Sequence, residues 1–205
     1  MLTSALVLTA LLAADDGSNN PNRWEEISSN EGLTIWTRDI PGARVREVRA
    51  QSVVAAPPKR VWEVLSDLEH YTEFMPYVEE TIKVTSLEGG HIEYQRIDPP
   101  LVDRRDYTLK VSLVVDEAKG TYRREWVEAN DKGPPVREGT VRVAINRGAW
   151  TVEALPDGKS RLSYYLYTDP GGSLPAWIAN KANTKSVPDL MSAVKNRSLD
   201  QSWRR

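Results

Sequence analysis

A succession of short β-type segments separated by glycine-bearing turns constrains the fold of this chain more than any other feature. The connections are as short as Glu88-Gly89-Gly90 and Ala118-Lys119-Gly120. Turns of this length join antiparallel neighbours, because parallel strands need a crossover of about a dozen residues or more. The pattern therefore predicts one meandering, strongly curved antiparallel sheet. Its strands are expected at 24–28, 33–39, 44–55, 77–86, 91–97, 105–116, 120–129, 137–146, 149–155 and 160–168.

An amphipathic helix interrupts the strands at 58–69, where Pro57-Pro58 provides a suitable first turn. Its apolar stripe is formed by Val61, Leu65 and Leu68. The helix runs into a loop with three bulky apolar residues, Tyr71, Phe74 and Met75. Two interpretations are open: the helix packs its stripe into the core, or it delivers the three side chains to the rim of a cavity as a gate.

A second, longer helix is predicted after Ser173 and Pro175, and it should cover most of the apolar face of the sheet. Ile178 and Ala182 share one side of this helix. Pro188 should bend or restart it, because proline lacks the N–H that would bond to residue 184. The predicted fold class is α+β.

The first 14 residues form an apolar run that ends before Asp15-Asp16-Gly17-Ser18. The run is too short to span a bilayer, which takes roughly 20 apolar residues, and it is typical of a secretory signal. We expect a signal peptide at 1–14, a linker at 15–22, a domain at 23–198 and a tail at 199–205. Such a protein would be exported, either periplasmic or secreted.

The composition limits the chemistry and the partners. The chain has 27 Lys and Arg residues, 29 Asp and Glu residues and no cysteine. The chain therefore lacks the basic field of nucleic-acid-binding proteins, and thiol chemistry is excluded. His70 and His91 are not at a metal-ligand spacing, and no nucleophile elbow is present. We expect no catalytic residue, no metal, no cofactor and no nucleic acid partner.

Alternation over residues 105–115 places an arginine on an apolar face. Tyr107, Leu109 and three further apolar residues share that side of the strand with Arg105. A buried cation is costly unless it meets an acid, water or a polar ligand group. Arg105 is therefore a candidate ligand-binding residue; the alternative is a strand-end arginine that returns to solvent.

Other segments place aromatic side chains on inward faces in the same way. Besides Arg105, the predicted lining consists of Tyr94, Arg96, Tyr107, Trp126, Tyr164, Leu166, Ile178 and Ala182. Arg124, on the same face as Trp126, makes these faces more polar than a plain core. Together they would form an aromatic-walled pocket with a few polar groups, the usual form of a site for small apolar ligands. Each aromatic residue by itself is explained equally well as core filling.

Three stretches resemble the START family of StAR-related lipid-transfer domains, within the larger group of polyketide cyclase-like and coenzyme Q-binding proteins. They are Val61 to Tyr77, Val102 to Tyr107 and Gly172 to Asn180, and the similarity extends over roughly 24–198. The resemblance implies a helix-grip fold, in which a curved sheet wraps a long C-terminal helix and encloses a hydrophobic tunnel. Its Arg-Asp motif implies that Arg105 faces the tunnel. Sterol-binding members place an inward acid on the preceding strand, where this chain has Tyr94, Gln95 and Arg96.

These observations favour non-enzymatic binding or transport of a lipid, sterol-like or other hydrophobic small molecule, with transient membrane contact. A cyclase- or hydrolase-type enzyme acting on a hydrophobic carbonyl substrate is the alternative. In that case Arg105 and Tyr94, with Arg96, would polarise the carbonyl, and Tyr107 would move a proton. A third hypothesis, a protein-binding adaptor, requires that Trp177, Trp150 or Trp203 is exposed as a patch.

Overall fold

The computed structural model describes residues 23–99 and 102–203. Within these ranges ten strands form a single sheet: β1 (Glu25–Asn30), β2 (Leu33–Arg38), β3 (Glu47–Val54), β4 (Val78–Leu87), β5 (Gly90–Ile97), β6 (Arg104–Asp116), β7 (Thr121–Glu128), β8 (Thr140–Arg142), β9 (Ile145–Ala154) and β10 (Ser160–Asp169). The α-helices of the same ranges are α1 (Pro58–Ser66), α2 (Tyr71–Phe74), α3 (Ala176–Lys185) and α4 (Val187–Leu199). The expected signal peptide at 1–14 and linker at 15–22 lie outside the described residues.

The strands run in the order β1-β2-β3-β10-β9-β7-β6-β5-β4. All neighbours along this path are antiparallel, and the short β8 pairs in parallel with β6. The predicted turns at 88–90 and 118–120 close two hairpins, where Gly89 and Gly120 have φ values of +68° and +62°. Glycine adopts this left-handed conformation readily. The predicted α+β class, an antiparallel sheet with a terminal helix, is confirmed.

The strands predicted at 137–146 and 149–155 are wrong. β8 has only three residues, and β9 runs without a break past Gly148, which lies in the gap between the two expected strands. A Cβ at Gly148 would lie 2.3 Å from Cζ2 of Trp126 and 2.5 Å from the carbonyl oxygen of Tyr165. Glycine is therefore required here to make room for an indole ring within the sheet, rather than to turn the chain.

One half of the inner face of the sheet is solid core, covered by α1 and α4. The apolar stripe of α1 buries Val61, Val64 and Leu65, and α4 buries Val187, Met191 and Val194. The sheet supplies Ile35, Val48, Ala50, Val111, Tyr122, Val152 and Leu162. Burying each large aliphatic side chain contributes about 1.5–3 kcal/mol to stability, so this half holds the fold together.

The other half of the inner face lies under α3. As predicted for Pro188, the terminal helix restarts: α3 ends at Lys185, and α4 begins at Val187 with the proline in its first turn. No helix within the described ranges has the length and apolar character needed to cross a membrane. The space between α3 and the sheet contains the candidate site.

Candidate functional site

A cavity of about 550 Å³ lies between α3 and the inner face of β5, β6, β7, β9 and β10. This volume is within the range of about 300–1,000 Å³ found for small-molecule pockets. Its wall is mainly apolar and aromatic. The wall includes Tyr107, Leu109, Trp126, Val143, Trp150, Tyr164, Leu166, Ile178, Ala182 and Leu190.

The structure brings most of the predicted lining residues together. Those that face the cavity are Arg105, Tyr107, Trp126, Tyr164, Leu166, Ile178 and Ala182. The predicted inward direction of Tyr164 and Leu166, with Tyr165 and Tyr167 on the opposite face, is confirmed by their alternating burial along β10. One wall of the cavity therefore has the composition expected from the sequence.

Tyr94 and Arg96 do not face the cavity, and the prediction for β5 is wrong by one residue. In the β5–β6 register, Gln95 lies opposite Tyr107, and Tyr94 lies opposite Thr108. Because directly opposed residues share a face, Gln95 points inward with Tyr107. The aromatic ring of Tyr94 suggested the inward direction, but this strand is buried on both faces.

The outer face of β5 and β6 is buried as well, because the segment that leads into β8 packs against it, with Gly133 beside the side chain of Thr108. Arg142 donates two hydrogen bonds to the buried carboxylate of Asp106, at 2.7 and 3.0 Å. The hydroxyl of Tyr94 donates to the same carboxylate at 3.1 Å, and burial together with Asp106 raises the pKa of Tyr94 to about 12. Arg96 lies on this outer side too, 3.4 and 3.5 Å from the carboxylates of Glu79 and Glu80.

The gate predicted at Tyr71, Phe74 and Met75 is not at the rim. Tyr71 and Met75 line the cavity from within and are only 4% and 6% exposed. The hydroxyl of Tyr71 donates to the carbonyl of Leu65 at 2.6 Å, which holds α2 beneath the sheet. Phe74 packs edge-on against Tyr71 and is not a lining residue.

The rim is formed instead by α3 and the residues that follow α2. Trp177, Lys181 and Lys185 line the cavity and are also exposed, so the cavity opens to solvent along this helix. On the opposite side Tyr77 adopts a left-handed φ of +67°. Its hydroxyl donates to Asp189 of α4 at 2.7 Å, which ties the two sides of the rim together.

Arg105 is the first of two buried polar groups in the wall that carry charge. It is 2% exposed, and it donates from Nε to the carbonyl of Pro170 at 3.3 Å and from Nη1 to the carbonyl of Asp103. Among the described residues no carboxylate lies within 4.0 Å of its guanidinium. Burial lowers the pKa of Arg105, partly offset by the Asp103 carboxylate, but an arginine stays protonated in proteins. The cavity therefore contains a charge that no carboxylate of the described chain contacts directly.

The second polar group is the ion pair of Glu93 and Arg124, which are 1% and 3% exposed. The carboxylate also accepts a hydrogen bond from Gln95 at 2.9 Å and is 2.7 Å from Nε2 of His91. Burial alone would raise the pKa of Glu93, but Arg124 and His91 outweigh it and hold the pKa below its usual value. Tyr107 extends the network by donating to Gln95 at 3.1 Å.

Sequence analysis missed Glu93 and Gln95 as inward residues. The feature of the sequence that could have revealed them is Arg124. It shares the inward face of its strand with Trp126, and a buried arginine needs a buried acid within reach of its side chain. Shifting the inward set of β5 by one residue supplies that acid. An inward arginine on β7 without an assigned counter-ion was thus evidence about β5, which lies on the far side of β6 in the sheet.

The aromatic part of the wall is held rigidly. The indole N–H of Trp126 donates to Asn146 at 3.0 Å, and the ring centroids of Trp150 and Tyr164 are 4.3 Å apart. Trp150 and Trp203 are buried, and Trp177 is 67% exposed. Of the three tryptophans on which the adaptor hypothesis depends, Trp177 is therefore the one that is exposed.

The polar groups of the described wall are few, and several are engaged with one another. Among the described lining residues Glu93 is the only carboxylate, and its oxygens are already engaged. His91 is not a lining residue. Within residues 23–99 and 102–203, no three metal-ligating side chains lie close enough together to hold a metal ion. The arrangement can enclose an elongated apolar molecule and hydrogen-bond its oxygens.

A curved antiparallel sheet that grips a C-terminal helix across a ligand-sized cavity defines a helix-grip protein. The chain belongs to the family described as polyketide cyclase/dehydrase and lipid transport, whose model matches residues 54–195. The resemblance to START domains is thereby confirmed.

Individual relatives agree with this assignment. The chain is 25% identical to rat phosphatidylcholine transfer protein over 183 residues, covering 84% of each chain. The crystal structure of a StAR-related lipid transfer protein from Xanthomonas axonopodis superimposes with a TM-score of 0.77 at 22% identity, covering 86% of this chain and 99% of that one. Human StAR-related lipid transfer protein 5 gives a TM-score of 0.79 at 17% identity, covering 88% of each chain. At these identities the two structures show the shared fold.

Proposed function

We propose that this protein is a non-enzymatic carrier that binds one lipid-like amphiphile in the cavity. The observation that carries the proposal is Arg105, a buried guanidinium that faces an apolar, aromatic-walled space and lacks a carboxylate partner in the described chain. A ligand with an anionic head would supply the missing counter-ion, and its chain would lie against Tyr107, Trp126, Tyr164 and Leu166. Ile178 and Ala182 would close over it from α3.

The relatives support the same function, because several are named for lipid transfer. The apolar segment at 1–14 supports a further part of the proposal, that the carrier acts outside the cytoplasm. The cyclase alternative has less support. Burial raises the pKa of the Tyr107 hydroxyl above its usual value, and that hydroxyl is already bonded to Gln95, so it is a poor proton acceptor at neutral pH.

Replacing Arg105 with leucine tests the carrier proposal. We expect affinity for dodecanoic acid, measured by calorimetry on the full chain, to fall by about 10- to 100-fold, because a hydrogen bond to a charged group contributes about 1.5–3 kcal/mol. Arg105→Lys should retain part of the affinity. The neighbouring Arg104→Leu is the matched control, since Arg104 points outward to Glu79. Equal affinity for Arg105→Leu and the unmodified protein would contradict the proposal.

Loading and delivery require contact with a membrane, and the rim is suited to it. Trp177 is exposed, and Lys181 and Lys185 follow at four-residue spacing on the same side of α3. Tryptophan inserts at the interfacial region of bilayers, and each basic residue near an anionic surface contributes about 1 kcal/mol. We therefore propose that α3 touches the membrane when ligand is exchanged.

Neutralising the two lysines tests this contact. Lys181→Gln combined with Lys185→Gln should weaken binding to vesicles of phosphatidylcholine and phosphatidylserine by about 30-fold, corresponding to roughly 2 kcal/mol. The matched control removes two exposed lysines on remote hairpins, Lys119→Gln and Lys159→Gln. Co-sedimentation measures both. If the two double variants lose the same affinity, the contact is non-specific and α3 is not the docking surface.

A further inference from the structure

The first residues of β6 pair with β8 instead of β7. β7 runs beside residues 109–116 of β6, and β8 takes its place beside residues 104–106, where Arg105 lies opposite Val141 and Asp106 lies opposite Arg142. Opposed residues share a face of the sheet, and the faces alternate along each strand. Val141 therefore points inward with Arg105, and Arg142 points outward with Asp106. The end of β6 that carries Arg105 is thus held on this side by a strand of only three residues.

On the outer face β8 is fixed by a buried ion pair. Asp106 is fully buried, and its carboxylate accepts two hydrogen bonds from Arg142 and one from the hydroxyl of Tyr94. Arg142 also donates to the carbonyl of Pro134 at 2.9 Å, and the N–H of Val143 donates to the carbonyl of Asp106 at 2.9 Å. So short a strand has few ladder hydrogen bonds of its own, and these contacts anchor it to β6.

On the inner face β8 supports the loop to which Arg105 is bonded. Cγ1 of Val141 lies 3.4 Å from the position of a Cβ on Gly171 and 3.9 Å from that of a Cβ on Gly172, so this side chain packs against the two glycines. The residue before them, Pro170, provides the carbonyl that accepts a hydrogen bond from Nε of Arg105 at 3.3 Å. β8 therefore contacts the loop that orients the guanidinium in the cavity.

We propose that the Asp106–Arg142 pair, on the outer face of the sheet, orients Arg105 toward the ligand through β8 and so sets the preference of the cavity for an anionic head. This inference rests on the proposed carrier function and adds two positioning residues that do not touch the ligand. Among the described residues, the hydrogen-bond acceptors of the Arg105 guanidinium are two backbone carbonyls, and one of them is on the loop that β8 supports. Binding groups must be held within about 0.5 Å of the productive position, so a shift of this loop would weaken the contact with the head.

Asp106→Asn tests the inference, because it removes the charge of the pair at constant size. We expect affinity for dodecanoic acid, measured by calorimetry on the full chain, to fall by about 10-fold, because the guanidinium is misplaced rather than removed. Affinity for methyl dodecanoate, which has the same chain and no charge, should change by less than about 2-fold, because it lacks a charge-assisted hydrogen bond to Arg105. Removing the negative charge of Asp106 would by itself favour an anion. A selective loss for the acid therefore reports the position of Arg105.

Arg137→Leu is the matched control. It removes an ion pair with Glu80, of two hydrogen bonds at 2.7 and 2.9 Å, from the segment that leads into β8. Arg137 is exposed and precedes the residues that pair with β6, so both affinities should be unchanged. If Asp106→Asn changes the two affinities equally, or changes neither, the inference is overturned and the carrier function stands. Failure of the unmodified protein to bind the acid would overturn both.

Val141→Ala keeps the test decisive if Asp106→Asn does not fold. It leaves the ion pair in place and removes the methyl groups that pack against Gly171 and Gly172. We expect affinity for dodecanoic acid to fall by about 3-fold, with affinity for the methyl ester unchanged. An unchanged ratio of the two affinities would contradict the role of β8.

Discussion

Replacing Arg124 alone with leucine is expected to lower the free energy of unfolding by about 3–5 kcal/mol, the usual effect of removing one partner of a buried ion pair. The carboxylate of Glu93, 1% exposed, would then be buried without its main counter-ion. Chemical denaturation of the full chain measures the loss. The double variant Glu93→Leu/Arg124→Met should be considerably more stable than Arg124→Leu, although it carries one more substitution.

The loss should depend on pH in a defined direction. Without Arg124, burial raises the pKa of Glu93, so the folded variant gains a proton on Glu93. The folded state then binds more protons than the unfolded state near neutral pH, and stability falls as the pH rises. The deficit of Arg124→Leu should therefore be smaller at acidic than at neutral pH. Arg123→Leu, one residue away on the exposed face, should cost less than about 1 kcal/mol, and an equal loss at both positions would contradict the burial argument.

Gly148→Ala is expected to destabilise the fold by at least about 3 kcal/mol, at the upper end of the range for overpacking. The new methyl group would meet the ring of Trp126 at 2.3 Å and the carbonyl of Tyr165 at 2.5 Å. Neither atom can move freely, because the indole is bonded to Asn146 and the carbonyl is part of the β9–β10 ladder. Thermal unfolding followed by circular dichroism should show a marked fall in Tm.

Gly139→Ala separates this clash from the general effect of replacing a glycine. Gly139 has a φ of +69°, and a Cβ added to it would have no atom within 4 Å, so alanine there suffers only the left-handed backbone cost of about 1–2 kcal/mol. Comparable losses at the two glycines would mean that the contact with Trp126 has no special weight. Tryptophan fluorescence, to which Trp126 contributes as one of seven tryptophans, should shift in Gly148→Ala and remain unchanged in Gly139→Ala.

Most of the architecture follows from local patterns in the sequence. Period-two alternation locates β6 and β10 closely, and Pro188 correctly marks the restart of the terminal helix. The failures have tertiary causes. Gly148 has the composition of a turn residue, but it lies inside β9 because an indole from β7 occupies the space above it. No local pattern contains that contact.

The site is only partly predictable for a related reason. Arg105 stands out because it is in phase with an apolar face, and the structure places it in the cavity wall. Aromatic character favours an inward Tyr94, yet β5 is covered on both sides, so side-chain polarity does not distinguish its faces. Pairing Arg124 with a buried acid would have shown that Glu93 and Gln95, rather than Tyr94 and Arg96, are the inward residues of β5. The rim position of Trp177 depends on how α3 crosses the sheet, which helical periodicity cannot specify.

Native mass spectrometry of the full chain, purified without detergent, tests most directly whether the cavity holds a ligand. We predict one bound molecule per chain, released on denaturation as an amphiphile with an acidic head, and its absence from Arg105→Leu prepared in the same way. A protein that appears only at its bare mass, and that takes up no dodecanoic acid when the acid is supplied, would contradict the proposed carrier function.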